Sequence, residues 1–279
     1  MNTIHCGAYR LGGERPLLMG IVNLTPDSFS GDGLASDTAQ AIAHARRQLE
    51  AGADILDLGA ESSRPGAQPT PADEELRRLL PVLKELAGWG VPISVDTYKP
   101  QVMRAALAAG AAMINDISGL ATAEALAAVA GSDCGVCVMH MQGNPGSMQQ
   151  APLYQDVVGE VSTWLAAAVE RCQRAGIVRE RIVVDPGFGF GKTLAHNLAL
   201  FRAIETACWG GLPVLVGVSR KSMLGQITGQ PVSERRAASV AAALLAAQRG
   251  AAILRVHDVA ETRDALAVWS AIENRGNDE

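Results

Sequence analysis

Two hydrophobic periods take turns along this chain. Short apolar runs rich in Val, Ile and Leu alternate with longer stretches in which apolar residues recur every three or four positions. The pattern predicts strands over 16–23, 54–59, 92–97, 113–118, 135–140, 182–185, 213–219 and 253–258. It predicts helices over 35–51, 71–87, 100–109, 121–130, 154–175, 194–208, 233–249 and 260–272. Strands that alternate with helices form βαβ units around a parallel sheet. Eight such units in 279 residues predict an α/β fold, a closed (β/α)8 TIM barrel, with 1–279 as a single domain and no long linker. Four helix-to-strand connections repeat one chemistry, centred on Gly52, Gly110, Gly176 and Gly250. Glycine there is the expected helix stop, so these are read as plain turns at one end of the barrel.

Composition narrows the function classes. The net charge is -5 with no basic block, which argues against nucleic acid and anionic membrane as partners. No apolar stretch is long enough to span a bilayer, and the first residues lack the basic-then-apolar order of a signal peptide. The five cysteines, an odd and sparse set, fit a reducing compartment, here the cytoplasm. Cys134 and Cys137 have redox-motif spacing, but they lead into an apolar strand and are read as small buried hydrophobes.

The polar residues cluster where the strands end. The first strand ends at Asn23, the third at Asp96, the fourth at Asn115-Asp116, the fifth at His140 and the sixth at Asp185. Ser219-Arg220-Lys221-Ser222 follows the seventh, and Arg255 and His257 alternate on the eighth, facing one way. In a barrel all these ends meet at one mouth, where active sites sit. Asp57 and Asp116 are read as structural acids that hold loops or pair arginines, and His140 as a satisfied core-edge histidine. Asp96, Asn115 and Asp185 offer acceptors and an amide to a flat, donor-rich ring. Asn23, Ser63, Arg64, Arg255 and His257 suit phosphates, so the mouth is expected to divide into a ring half and an anion half. Ser222 opens a short extra helix over 222–225.

Asp185-Pro186-Gly187-Phe188-Gly189-Phe190-Gly191-Lys192-Thr193 organises the rest. An acid at a strand end is followed by open backbone and two phenylalanines, both expected to be exposed for a flat ligand. A phosphate-binding P-loop is the alternative. It needs four residues between its first Gly and the Gly-Lys-Thr, and Gly187 leaves one too few before Gly191.

These segments resemble the dihydropteroate synthase family. The likeness rests on Met19 to Ser30, Glu61 to Gly66, Ser94 to Thr97, Asn115 to Ile117, Asp185 to Phe190, Ser219 to Ser222 and Arg255 to Asp258, in order along nearly the whole chain. It implies a transferase of folate biosynthesis that joins 6-hydroxymethyl-7,8-dihydropterin diphosphate to 4-aminobenzoate. It also implies Mg2+ as cofactor, sensitivity to sulfonamides and a homodimer formed through apolar outer helices. By resemblance, Asp96, Asn115, Asp185 and Lys221 hold the pterin, with Ile117, Met139 and Gly217 shaping its slot. Ser63, Arg255 and His257 bind the diphosphate, and Asn23 helps ligate Mg2+. Phe29, Pro65, Phe190 and the Lys221 stem flank the aminobenzoate ring, and Ser222 receives its carboxylate. Arg64 belongs to the loop that completes this pocket. The chain departs from the family at Ala60 and Ser63, where Gly and Thr are usual. Two alternatives remain: a pterin-barrel methyltransferase acting on methyltetrahydrofolate, and a non-catalytic pterin-binding barrel.

Overall fold

The computed structural model describes residues 3–25, 38–62, 66–207 and 209–273. The chain opens with an antiparallel hairpin, β1 (Ile4–Cys6) and β2 (Tyr9–Leu11). The barrel follows: β3 (Leu17–Asn23), α1 (Thr38–Glu50), β4 (Ile55–Gly59), α2 (Ala72–Leu86), β5 (Ile93–Asp96) and α3 (Pro100–Ala108). It continues with β6 (Met113–Asp116), α4 (Ala123–Ala130), β7 (Gly135–Met139), α5 (Val157–Arg174), β8 (Ile182–Asp185) and α6 (Leu194–Arg202). β9 (Leu215–Val216), α7 (Ser222–Thr228), α8 (Arg236–Gln248), β10 (Ile253–Val256) and α9 (Val259–Glu273) complete it.

The eight parallel strands run in the order β8-β7-β6-β5-β4-β3-β10-β9. A single bridge between Val184 and Val214 brings β8 to the segment before β9, so the barrel is nearly closed. The strands are buried on both faces, which explains their unbroken apolar runs. Met19, Ile55, Met113, Cys137, Val183, Leu215 and Ile253 fill the barrel interior. The alternate residues, among them Leu18, Leu56, Ile114, Val136 and Val184, pack outward under the helices. Gly52, Gly110, Gly176 and Gly250 all take positive φ, as helix stops do.

Several boundaries differ from the sequence reading. The hairpin was not foreseen, because two three-residue strands carry too little periodicity. Its Ile4 and Cys6 plug the barrel floor beside Gly135, where an added Cβ would meet the Cys6 Sγ at 2.5 Å. β9 keeps only two of the residues expected over 213–219, because Gly217 onward turns toward the mouth. α6 stops at Arg202, with turns over 203–206 where helix was expected, and residue 208 of that predicted helix lies outside the described residues. α8 begins at Arg236 after a 3-10 turn over Val232–Glu234. α7 runs longer than the four residues expected. Of the predicted helix 35–51, residues 35–37 lie outside the described residues.

Candidate active site

Parallel register sets the floor of the site. Asn23 pairs with Gly59, Gly59 with Asp96, and Asp96 with Asn115, so these residues line up at the strand ends. Gly59 keeps a gap between acid and amide: a Cβ there would stand 3.6 Å from the Asn23 Oδ1 and 3.8 Å from the Asp96 Cβ. A cavity of about 260 Å3 opens above them. It is lined by Asn23, Asp96, Asn115, Asp185, Lys221, Arg255 and His257, and by Ile117, Met139, Phe190, Gly217 and Ser222. Of the predicted site residues, Phe29, Ser63, Arg64 and Pro65 lie outside the described residues.

The two chemistries expected to occupy separate halves are joined in the structure. Arg255 bonds Asp57 through Nε at 2.6 Å and Asp96 through Nη2 at 2.9 Å. Burial works against the Arg255 charge, yet Asp57 and Asp96 outweigh it and raise its pKa above the ordinary value. Burial raises the Asp96 carboxyl; Arg255 opposes that shift and Asp57 adds to it. Asp57 is fully buried, and its Oδ1 has no hydrogen-bond partner among the described residues. Asp57 thus pairs an arginine, as expected of a structural acid, but that arginine is at the centre of the site. Asp116 holds its loop by accepting from the Ser118 and Leu120 amides and the Ser118 hydroxyl.

Asp185 accepts from the Gly187 amide at 2.7 Å, and burial raises its pKa against the pull of Lys221. Lys221 is thrown into the cavity by Arg220, which has a left-handed φ of 57°. Bonds from Arg220 to Asp258 and from its amide to the Ser239 hydroxyl fix that turn. The Lys221 Nζ lies 4.7 Å from the Phe190 ring centroid and donates to the Phe188 carbonyl at 2.5 Å. Burial pushes Lys221 down to about 8, with Asp185 pulling the other way. His257 shares a hydrogen bond between its Nδ1 and the Ser219 hydroxyl at 3.0 Å, and burial lowers its pKa.

Phe188 corrects the expectation of two exposed rings. It is fully buried, with its ring 5.8 Å from that of Phe201, and only Phe190 reaches the cavity. The neighbouring Gly-Lys-Thr is not a phosphate loop. The Lys192 Nζ is turned inward onto the His140 Nδ1 at 2.9 Å, and the Thr193 hydroxyl caps α6. His140 is a buried, satisfied histidine, edge-on to Trp164 and pushed down to about 3 by burial and by Lys192. Cys134 and Cys137 fall in different hydrophobic clusters, and burial raises both thiols, so neither is poised for redox chemistry.

Sequence reasoning missed the supports of the site. Ser219 orients His257, and Lys99 joins Glu61 at 2.5 Å to Glu75 at 2.7 Å, whereas Asp57 was expected to pair an arginine and only its partner, Arg255, was not foreseen. Glu61 also accepts from the Thr70 amide, so one carboxylate ties both ends of the segment between them. Inward alternation pointed to Asp57, two residues before Gly59 on β4. The Lys99 contacts are tertiary and left no sequence signal.

Among the described residues, no cluster of three or more His, Cys, Asp or Glu side chains is placed to hold a metal. Asn23 offers one amide oxygen at the mouth. That donor set fits a Mg2+ ion that arrives on a diphosphate and keeps its waters. No helix among the described residues is long and apolar enough to cross a membrane.

Comparison with known proteins identifies the family. The family described as "Pterin binding enzyme" matches residues 19–257. A dihydropteroate synthase of Neisseria meningitidis serogroup C is 52% identical over 271 residues, which cover 95% of this chain and 96% of that protein. The crystal structure of Burkholderia cenocepacia dihydropteroate synthase complexed with 7,8-dihydropteroate is 51% identical with a TM-score of 0.90, covering 98% of this chain and 96% of that one. A Xanthomonas albilineans dihydropteroate synthase with 4-aminobenzoic acid is 49% identical with a TM-score of 0.91, covering 99% of each chain. The family match over residues 19–257, together with identity along nearly the whole length, places this chain in the pterin-binding enzyme family, among the dihydropteroate synthases, which are transferases.

Proposed function

We propose that the chain condenses 6-hydroxymethyl-7,8-dihydropterin diphosphate with 4-aminobenzoate to give 7,8-dihydropteroate and pyrophosphate, by early loss of the diphosphate. The observation that carries this reading is one cavity lined at once by Asp96, Asn115, Asp185, Lys221, Arg255 and His257. Asp96, Asn115 and Asp185 would accept from the N–H groups of the pterin edge and favour an electron-poor ring. Arg255 spends two donors on Asp57 and Asp96, and its remaining N–H groups would meet phosphate oxygens. Asn23 would hold Mg2+ on the diphosphate, and that ion would offset charge on the leaving group.

The carbon–oxygen bond at the pterin methylene breaks first, and its electron pair leaves with the diphosphate. Arg255 and His257 stabilise that developing charge. The methylene cation delocalises into the pterin. The neutral arylamine then donates its lone pair to the methylene carbon and loses its proton afterwards, so no strong base is required. Phe190 and the Lys221 stem would flank the aminobenzoate ring, with Ser222 receiving its carboxylate. The loops after β3 and β4 would close over the site, exclude water and complete the pocket with Phe29, Ser63, Arg64 and Pro65.

Positional isotope exchange in dihydropterin diphosphate, followed without 4-aminobenzoate, tests the order of bond changes. Movement of oxygen-18 from the bridge to non-bridging positions supports early cleavage. No exchange, with a rate that climbs with the nucleophilicity of substituted aminobenzoates, would make the displacement concerted. Sulfonamide sensitivity follows from the same pocket. A cytoplasmic homodimer is part of this reading, supported by Leu245, Val268 and Ile272, which stand exposed on α8 and α9.

A further inference from the structure

Two lysines hold the loop after β8 at alternate carbonyls. The Lys221 Nζ donates to the Phe188 carbonyl at 2.5 Å, and the Lys192 Nζ donates to the Phe190 carbonyl at 2.9 Å. Between them, the Gly189 amide donates to Asn197 Oδ1 at 2.8 Å, and its carbonyl accepts from Gln149. The two lysines differ in what surrounds them. Lys221 lines the cavity, whereas Lys192 is 3% exposed and is absent from the cavity wall.

The other hydrogen bonds of the Lys192 Nζ go to His140, which is absent from the cavity wall. They reach the His140 Nδ1 at 2.9 Å and the His140 carbonyl at 3.4 Å. The backbone is shaped to let the ammonium in. At Gly187, with φ of 72°, an added Cβ would stand 3.3 Å from the Lys192 Nζ and 1.9 Å from the His140 carbonyl. Burying an ammonium with no ion pair among the described residues is costly, and burial pushes Lys192 down to about 7 against the attraction of Asp185. A methionine of similar length would pack there without that cost. A lysine at this buried position therefore needs a reason beyond packing, and its bonds reach straight to the Phe190 carbonyl.

We propose that Lys192 is a positioning residue for the amine substrate: it fixes the Phe190 carbonyl, and so the ring beside the aminobenzoate, when Lys221 leaves the Phe188 carbonyl to meet substrate. This rests on the reading of Phe190 and Lys221 given under Proposed function. In that division of labour Lys221 moves and Lys192 stays. Without Lys192, release of Lys221 would free the alternate carbonyls of Phe188 and Phe190, and the Phe190 ring would lose its fixed place. The pterin edge is read by Asp96, Asn115 and Asp185 and would be little affected.

Steady-state kinetics and calorimetry on the full chain test this with Lys192→Met, which keeps the stem and removes the donors. The KM and the Kd for 4-aminobenzoate are expected to rise roughly tenfold, with kcat and the KM for dihydropterin diphosphate within about threefold. Lys192→Gln, which retains an N–H donor, is expected to recover part of the loss. Equal changes in both KM values, or no change in either, would overturn the proposal. So would failure of both variants to fold, since Lys192 would then act on the fold as a whole. Turnover by the unaltered enzyme reads the proposed reaction separately, and calorimetry reports on Lys192 even if that turnover is absent.

Discussion

Arg255 and Asp96 are joined by a salt bridge of 2.9 Å, although the family likeness gives the first to the diphosphate and the second to the pterin. The bridge ties the end of β5 to β10 across the mouth of the barrel. Fully buried Asp57 completes the arrangement by accepting from the Arg255 Nε. Arg255→Met would leave Asp57 as an uncompensated charge in the barrel. Breaking a buried pair in this way costs about 3–5 kcal/mol. Urea denaturation is expected to show that loss, together with weaker binding of dihydropterin diphosphate. A variant as stable as the unaltered protein would mean that Asp57 is not held by Arg255.

Lys192 links stability to pH. Its pKa is lowered from 10.5 to about 7, chiefly by burial. The unfolded chain therefore keeps a proton at pH 8 that the folded chain has largely released. The sign follows: this group costs most below pH 7, and stability rises as pH climbs from about 7 toward the unfolded value. Between pH 7 and 8.5 the gain from this group is on the order of 1–2 kcal/mol. Lys221, lowered to about 8, acts in the same direction at slightly higher pH. Denaturant titrations across this window should give a flatter profile for Lys192→Met than for the unaltered protein. Parallel profiles would show that Lys192 is not titrating there.

Gly187 lies where the chain after β8 passes close to His140, just beyond the end of β7. Its positive φ and the His140 carbonyl, 1.9 Å from where a Cβ would sit, leave no room for a side chain. Gly187→Ala combines strain with a backbone clash and should cost roughly 3 kcal/mol or more. The loop would also shift, so affinity for 4-aminobenzoate should fall with stability. Thermal melts and calorimetry check both, and an undisturbed variant would mean that the loop has another conformation open to it.

The barrel floor offers the opposite case. Ile4 is 1% exposed and fills the end of the barrel far from the mouth. Ile4→Ala would leave a cavity and cost about 2–5 kcal/mol. Both KM values should stay unchanged at temperatures where the variant is folded. A large change in either would couple the floor to the site and contradict the separation of stabilising and functional ends.

The barrel was legible because its strands are buried on both faces, so apolar runs such as Ile182–Val184 stand out beside the helical period. The polar strand ends were legible for the same reason: Asp96, Asn115, Asp185 and Arg255 interrupt otherwise apolar runs. Hydrogen bonds between distant residues were not. Nothing near Ser219 reveals that it holds His257, and nothing near Lys192 reveals that it faces His140, 52 positions away. Phe188 and Phe190 look equivalent in the sequence, and only packing against Phe201 sends one inward. β9 was overestimated because Leu215 to Val218 reads as strand throughout, yet the backbone leaves the sheet at Gly217 to build the mouth.

Formation of 7,8-dihydropteroate tests the central claim most directly. The full chain would be supplied with dihydropterin diphosphate, Mg2+ and 4-aminobenzoate, beside a Lys221→Ala variant, and pyrophosphate and product would be measured together. The account predicts equimolar product and pyrophosphate from the unaltered enzyme, and a loss of roughly a hundredfold or more in kcat/KM in the variant. Tight pterin binding with no product from the unaltered enzyme would contradict it and leave a barrel that binds pterins without joining them.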